Sequence, residues 1–159
     1  MKELLARLGL DVNLSGEELL EWLREREEEV MEQLARRQDA ELIRELAGLG
    51  YAPAQFLFGT MHLKGDGVRL DDGQALEWLY RSARQGYAPA QFQLGTMYLN
   101  GNGVAQNFSQ AEKWFRLAAE QGHERAQGYW ELAHEKRKLE EQKRPRYAEW
   151  SRPGGHAGY

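Results

Sequence analysis

Laid over one another without a gap, Gly50–Gln85 and Gly86–Gln121 agree at 19 of 36 positions, where unrelated segments would share about two. A chain built on a 36-residue period folds as stacked copies of one small unit, because a single unit cannot cover its own apolar face. A third start follows at the same interval: Gly122, Ala126 and Gln127 stand where Gly86, Ala90 and Gln91 stood. From Lys136 onward the sequence turns charged and lacks the turn glycines, so this third unit is truncated.

Within each unit the apolar period is helical. Ala75, Trp78, Leu79, Ser82 and Ala83 recur as Ala111, Trp114, Phe115, Ala118 and Ala119, at i, i+3, i+4, i+7 and i+8, which places them on one face that must be buried. In the first half, 100° per residue gathers Ala54, Phe56, Phe58, Gly59, Met61, His62 and Leu63 on a broad arc. Pro53, Leu57, Thr60 and Lys64 are left on a narrow opposite stripe. Pro53 and Pro89 fall in the first helical turn, where a missing N–H costs nothing. Gly59 and Gly95 in mid-helix each cost about 1 kcal/mol against alanine, which predicts a close helix–helix approach as compensation. Between the helices, Lys64-Gly65-Asp66-Gly67-Val68 and Asn100-Gly101-Asn102-Gly103-Val104 alternate glycine with Asp or Asn and read as tight turns. Gly86 and Gly122 end the second helices.

The pattern Ala-Gln-Phe-x-x-Gly-x-Met-x-Leu-x-Gly-x-Gly-Val, then Gln-Ala-x-x-Trp, then Ala-x-Gln-Gly, resembles the Sel-one-like repeat (SLR), a relative of the tetratricopeptide repeat with a longer, glycine-rich loop. His62 departs from the aromatic residue usual at its position, which Tyr98 keeps. Leu42, Ile43, Ala47 and Gly50 stand in register with Trp78, Leu79, Ala83 and Gly86, like the second helix of a degenerate preceding unit. The resemblance implies an all-α fold, a right-handed α/α superhelix of helix pairs with long capping helices at both ends. The expected organisation is a cap over 1–38 and a solenoid over 39–143. Within the solenoid we expect a degenerate half repeat (39–49), full repeats (50–85 and 86–121) and a capping helix (122–143), followed by a disordered tail over 144–159. Ser15-Gly16-Glu17-Glu18 is a capping box for a helix expected to run to Arg37, with Arg24–Glu29 charged on every side and projecting into solvent. At the other end one helix is expected over Glu124–Lys143, stopped by Pro145.

The absence of cysteine excludes disulfides, thiol nucleophiles and Cys-ligated metal centres. A net charge of −4 gives no reason to expect nucleic acid. The charge is uneven, from −6 over residues 1–49 to +4 over 136–159, and the basic end is read as a solvated extension. Tyr147 and Trp150 lie there with Arg146 and Arg152, residue types that anchor interfaces. No stretch approaches the roughly 20 apolar residues of a membrane span, and the start offers no apolar core for a signal peptide, so the expectation is a cytoplasmic protein with no membrane partner.

His62, His123, His134 and His156 form no metal-ligand spacing, and Gly65-Asp66-Gly67 with Asp71 and Asp72 lacks the alternation of a calcium loop. No nucleophile elbow or phosphate-binding lysine motif occurs, and the Gly-x-Gly pairs follow helices rather than strands. The expectation is therefore no enzyme, no cofactor and no metal. The stripe left over from the core, Leu57, Thr60 and Lys64 with Gln93, Thr96 and Asn100, repeats along the first helices, which in helical-pair solenoids line the concave surface. It is the expected partner-binding site, although a merely solvated stripe would carry the same residue types. The resemblance implies a protein–protein adaptor or scaffold, as in bacterial members. Two alternatives stand beside it: an immunity or inhibitor protein that neutralises a partner enzyme, and a self-assembling structural protein. The last includes a homodimer through apolar residues of the 15–37 helix left without an intramolecular partner.

Overall fold

A computed structural model describes residues 2–9 and 13–144. Nine helices and no strand occupy these residues: α1 (Lys2–Arg7), α2 (Gly16–Glu25), α3 (Glu27–Arg37), α4 (Ala40–Gly48), α5 (Ala52–Lys64), α6 (Asp72–Arg84), α7 (Ala88–Asn100), α8 (Phe108–Glu120) and α9 (Ala126–Lys143). From α4 to α9 packing is chiefly between consecutive helices, while α3 reaches past α4 to α5. That nearest-neighbour stacking makes an α/α solenoid.

The units start and stop by a repeated local chemistry. Each second helix opens on a side-chain cap: Asp39, Asp71 and Asn107 accept from the backbone N–H of Leu42, Gln74 and Gln110, satisfying a donor that the first turn leaves free. Each closes on a left-handed glycine. Gly50, Gly86 and Gly122 have φ of 96°, 88° and 83°, and the next N–H, from Tyr51, Tyr87 or His123, reaches back to Leu46, Ser82 or Ala118. This paired arrangement satisfies the last carbonyls. The expected core face is buried: Ala75, Leu79, Ser82, Ala111, Phe115 and Ala118 are all fully covered. Gly59 shows why its position admits no side chain, since a Cβ there would stand 2.8 Å from Leu79 Cγ.

Between units the cement is polar. Gln55 Nε2 donates to the Ala47 carbonyl at 3.1 Å, and Gln55 Oε1 accepts from Gln85 Nε2 at 2.8 Å. One period later, Gln91 donates to the Ala83 carbonyl at 3.2 Å and accepts from Gln121 at 2.7 Å. Each buried glutamine thus ties the ends of two flanking second helices to the first helix between them, and no amide is left without a partner.

Several expectations need correction. The helix expected over 15–37 is two helices, broken at Arg26 with φ −121° and ψ 32°. An unbroken helix of that length would run about 33 Å at 1.5 Å per residue, well beyond the 13-residue helices beneath it. The break falls where Arg24–Glu29 offers little apolar anchoring, and it lets α2 bury Leu19 and Leu23 while α3 buries Val30 and Leu34. Leu20, Trp22 and Met31 pack partly on the same core as α4 and α5, so the apolar residues from which a homodimer was inferred have partners within the chain. Pro53 is buried rather than on the outer stripe: a helical wheel treats the helix as endless, whereas Pro53 lies in the first turn, in a recess shared with Arg24 and Glu27. The last helix begins at Ala126, with Glu124 and Arg125 in the preceding turn. Trp114 is buried but Trp78 only half so, its ring meeting Phe58 edge-on at 5.3 Å beneath Arg81. Apart from Arg144, the tail expected over 144–159 lies outside the described residues.

Candidate interaction surface

The six stripe residues sit on the outward side of α5 and α7, but not on one continuous face. Leu57 is half-buried, because α3 crosses the start of the stripe and its Leu34 shares a core with Leu57. Leu57, Thr60 and Lys64 face Leu34, Ala35 and Gln38 of α3 across a recess of about 200 Å3. Ile43 and Met61 form part of its apolar lining, while Asp66 and Gly67 of the turn close one end. Gln93 and Thr96 line a second recess of about 450 Å3, with Leu63, Asp72 and the Asn102-Gly103 turn. Asn100 is exposed at the end of α7, beyond the lining of both.

The two threonines are alike in chemistry. Thr60 donates its hydroxyl proton to the Leu57 carbonyl at 2.8 Å and Thr96 donates to Phe92 at 3.1 Å. Their protons are spent within the helix, so toward a partner each hydroxyl offers an acceptor and a methyl group. The contribution of α3 was absent from the sequence reading, which sent the middle of that segment into solvent. The signal was the spacing of Leu19, Leu23, Val30 and Leu34, which keeps one face apolar on both sides of the charged stretch.

Asp71, the described histidines and Glu112 have structural partners. Asp71 caps α6, and His62 Nδ1 lies 2.9 Å from the Arg69 carbonyl, closing the turn. His123 stacks on Phe92 with centroids 4.5 Å apart, whereas His134 Nδ1 meets Glu112 Oε1 at 2.7 Å. Burial pushes the Glu112 carboxyl up, but hydrogen bonds from Arg137 and His134, with their charge, carry it below the ordinary carboxylate value. Burial, reinforced by the charge of Glu27, pushes the Tyr87 phenol up to about 12. Among the described residues no three His, Asp or Glu side chains gather as a metal would need, and no helix is long and apolar enough to cross a membrane.

The Sel1 repeat model matches residues 52–87 and 88–123, the helix pairs α5–α6 and α7–α8. A Sel1 repeat protein from Oxalobacter formigenes, known from its crystal structure, is 35% identical, with a TM-score of 0.55 over 57% of this chain and 68% of its own. This chain belongs to the Sel1 repeat family. A protective antigen of uropathogenic Escherichia coli strains that displays an SLR fold is 26% identical, with a TM-score of 0.62 over 80% of this chain; the match spans 30% of that longer chain. No curated protein matches. Sel1 repeats generally mediate protein–protein interaction, and their family is generally one of non-catalytic scaffolds that bind other proteins.

Proposed function

We propose that this Sel1 repeat chain is an adaptor that holds a segment of a partner protein along the outward stripe of its first helices. The observation that carries the reading is the recess between α3 and α5. At about 200 Å3 it is smaller than the 300–1,000 Å3 of small-molecule sites. A recess with apolar Leu34, Ile43, Leu57 and Met61 in its lining, edged by Thr60, Lys64 and Gln38, suits one large apolar side chain of a partner, the type of anchor that dominates interface energetics. The recess beside Gln93 and Thr96 then receives more polar groups farther along the same segment.

The test is affinity capture followed by mass spectrometry, with the wild type beside a variant carrying Thr60→Glu, Lys64→Glu, Thr96→Glu and Asn100→Glu. One protein enriched by the wild type and lost from a variant with unchanged helical circular dichroism supports the reading. A partner captured equally by both sinks the stripe as its site.

A further inference from the structure

Helix α9 continues the register of α5 and α7. The alanines at equivalent repeat positions near the start of the three helices, Ala54, Ala90 and Ala126, are each fully buried, and Ala133 is buried where Met97 is. The same face of all three helices therefore turns inward, and the outward stripe runs on. One period beyond Gln93, Thr96 and Asn100 stand Tyr129, Leu132 and Lys136. At 100° per residue, Leu139 and Lys143 fall on the same arc. Leu132 is 40% exposed and Leu139 48%, two of the four large apolar side chains most open to solvent among the described residues, with Leu70 and Tyr80. Lys64, Lys136 and Lys143 enter no ion pair among the described residues. Lys136 lies 5.9 Å from the Phe108 ring centre, and Asp66 is the one carboxylate in the recess beside Lys64.

We propose that α9 forms the third rung of the docking surface and that its partner is an acidic amphipathic helix, a deepening that rests on the adaptor reading above. Leu132 and Leu139 are seven residues apart, about 10.5 Å along the axis. That matches two turns of a facing helix and the i, i+7 anchors by which a helix docks in a groove. Alternation with lysines, and no carboxylate on the arc, makes the complementary helix one whose apolar stripe is flanked by Glu or Asp. A bilayer is a poorer fit. The stripe continues onto the uncharged Thr60, Thr96 and Gln93, whereas an interfacial membrane helix carries a broad apolar face.

The probe is an 18-residue helical peptide with leucines at i, i+3 and i+7 flanked by glutamates, set against a twin with lysines in place of the glutamates, read by fluorescence anisotropy. The expected result is binding of the acidic peptide at least tenfold tighter than its twin, weakening with added salt. Leu132→Ala with Leu139→Ala is expected to weaken it tenfold or more, and Lys136→Glu with Lys143→Glu to invert the preference. All four positions are exposed or on the surface stripe, and circular dichroism checks that each variant stays folded. Equal binding of both peptides, binding of neither, indifference to the leucine variant, or binding only to phosphatidylserine vesicles would each overturn the proposal. The same leucine variant in the capture experiment separates this inference from its basis. A partner kept by the leucine variant but lost from the Thr60 and Thr96 variant removes α9 from the site and leaves the adaptor reading standing; a partner kept by both removes the two together.

Discussion

Gly95 and Phe115 touch so closely that a Cβ on Gly95 would stand 2.6 Å from two atoms of the ring. The contact joins α7 to α8 inside the second unit, and the ring is wholly buried, so it has little room to retreat. Gly95→Ala sets a helix-propensity gain of about 1 kcal/mol against an overpacking cost of about 1–3 kcal/mol. The clash wins, because the obstacle is a rigid ring rather than a flexible tip. Urea unfolding should show a net loss of up to about 2 kcal/mol. Gly128→Ala in α9, where an added Cβ meets nothing within 4 Å, should instead be neutral or stabilising.

The buried glutamines give a second test. Gln91→Ala removes its bonds to the Ala83 carbonyl and to Gln121; the carbonyl keeps the Gly86 N–H at 3.0 Å and the exposed Gln121 amide turns to solvent, so the loss is that of net hydrogen bonds, about 0.5–1.5 kcal/mol each. Adding Gln121→Ala should cost less than it does in the wild-type background, since its partner is already gone. Strict additivity in this double-mutant cycle would mean that the 2.7 Å contact carries no coupling.

Acid should loosen the end of the solenoid. The Glu112 carboxyl is held below its ordinary value of 4.5, so the unfolded chain takes up that proton more readily than the folded one. Stability from this group is therefore fully present above pH 4.5 and is lost as pH falls through the depressed value. In Glu112→Gln the urea midpoint should be lower than wild type at neutral pH, and the two curves should converge below pH 4.5. A constant offset at every pH would contradict the assignment.

Asp39 caps α4 and also receives Arg7 at 3.1 Å. Asp39→Ala removes the cap at about 1 kcal/mol together with one of the two ion pairs of Arg7, the other being to Glu41 at 3.4 Å, whereas Arg7→Ala removes only ion pairs open to solvent and worth little. Hydrogen exchange at the first turn of α4 should rise in the first variant and stay nearly unchanged in the second.

The solenoid was readable from sequence because its evidence repeats: core positions such as Ala54, Gly59 and Ala75 recur as Ala90, Gly95 and Ala111, and the mid-helix glycines announce the tight packing seen at Leu79 and Phe115. The cap was harder. Residues 13–38 have no second copy to compare with, and the turn at Arg26 is imposed by the size of the core below it rather than by any breaker residue. The six stripe residues lie on α5 and α7, but their division between two recesses follows from α3 crossing Leu57, a long-range contact that no local period encodes. The leucines of α9 lay within reach of the same register arithmetic.

The glutamine rungs also bear on how chains of this kind vary in length. Gln55 looks onto Ala47 and Gln85; Gln91 looks onto Ala83 and Gln121, in the same geometry. Excising one whole 36-residue period would therefore join surroundings that already match, leaving no amide orphaned at the seam. Inserting a period would do the same. A shift of register within a helix breaks the pairing, so the stack is lengthened or shortened with least disturbance by whole units of two helices.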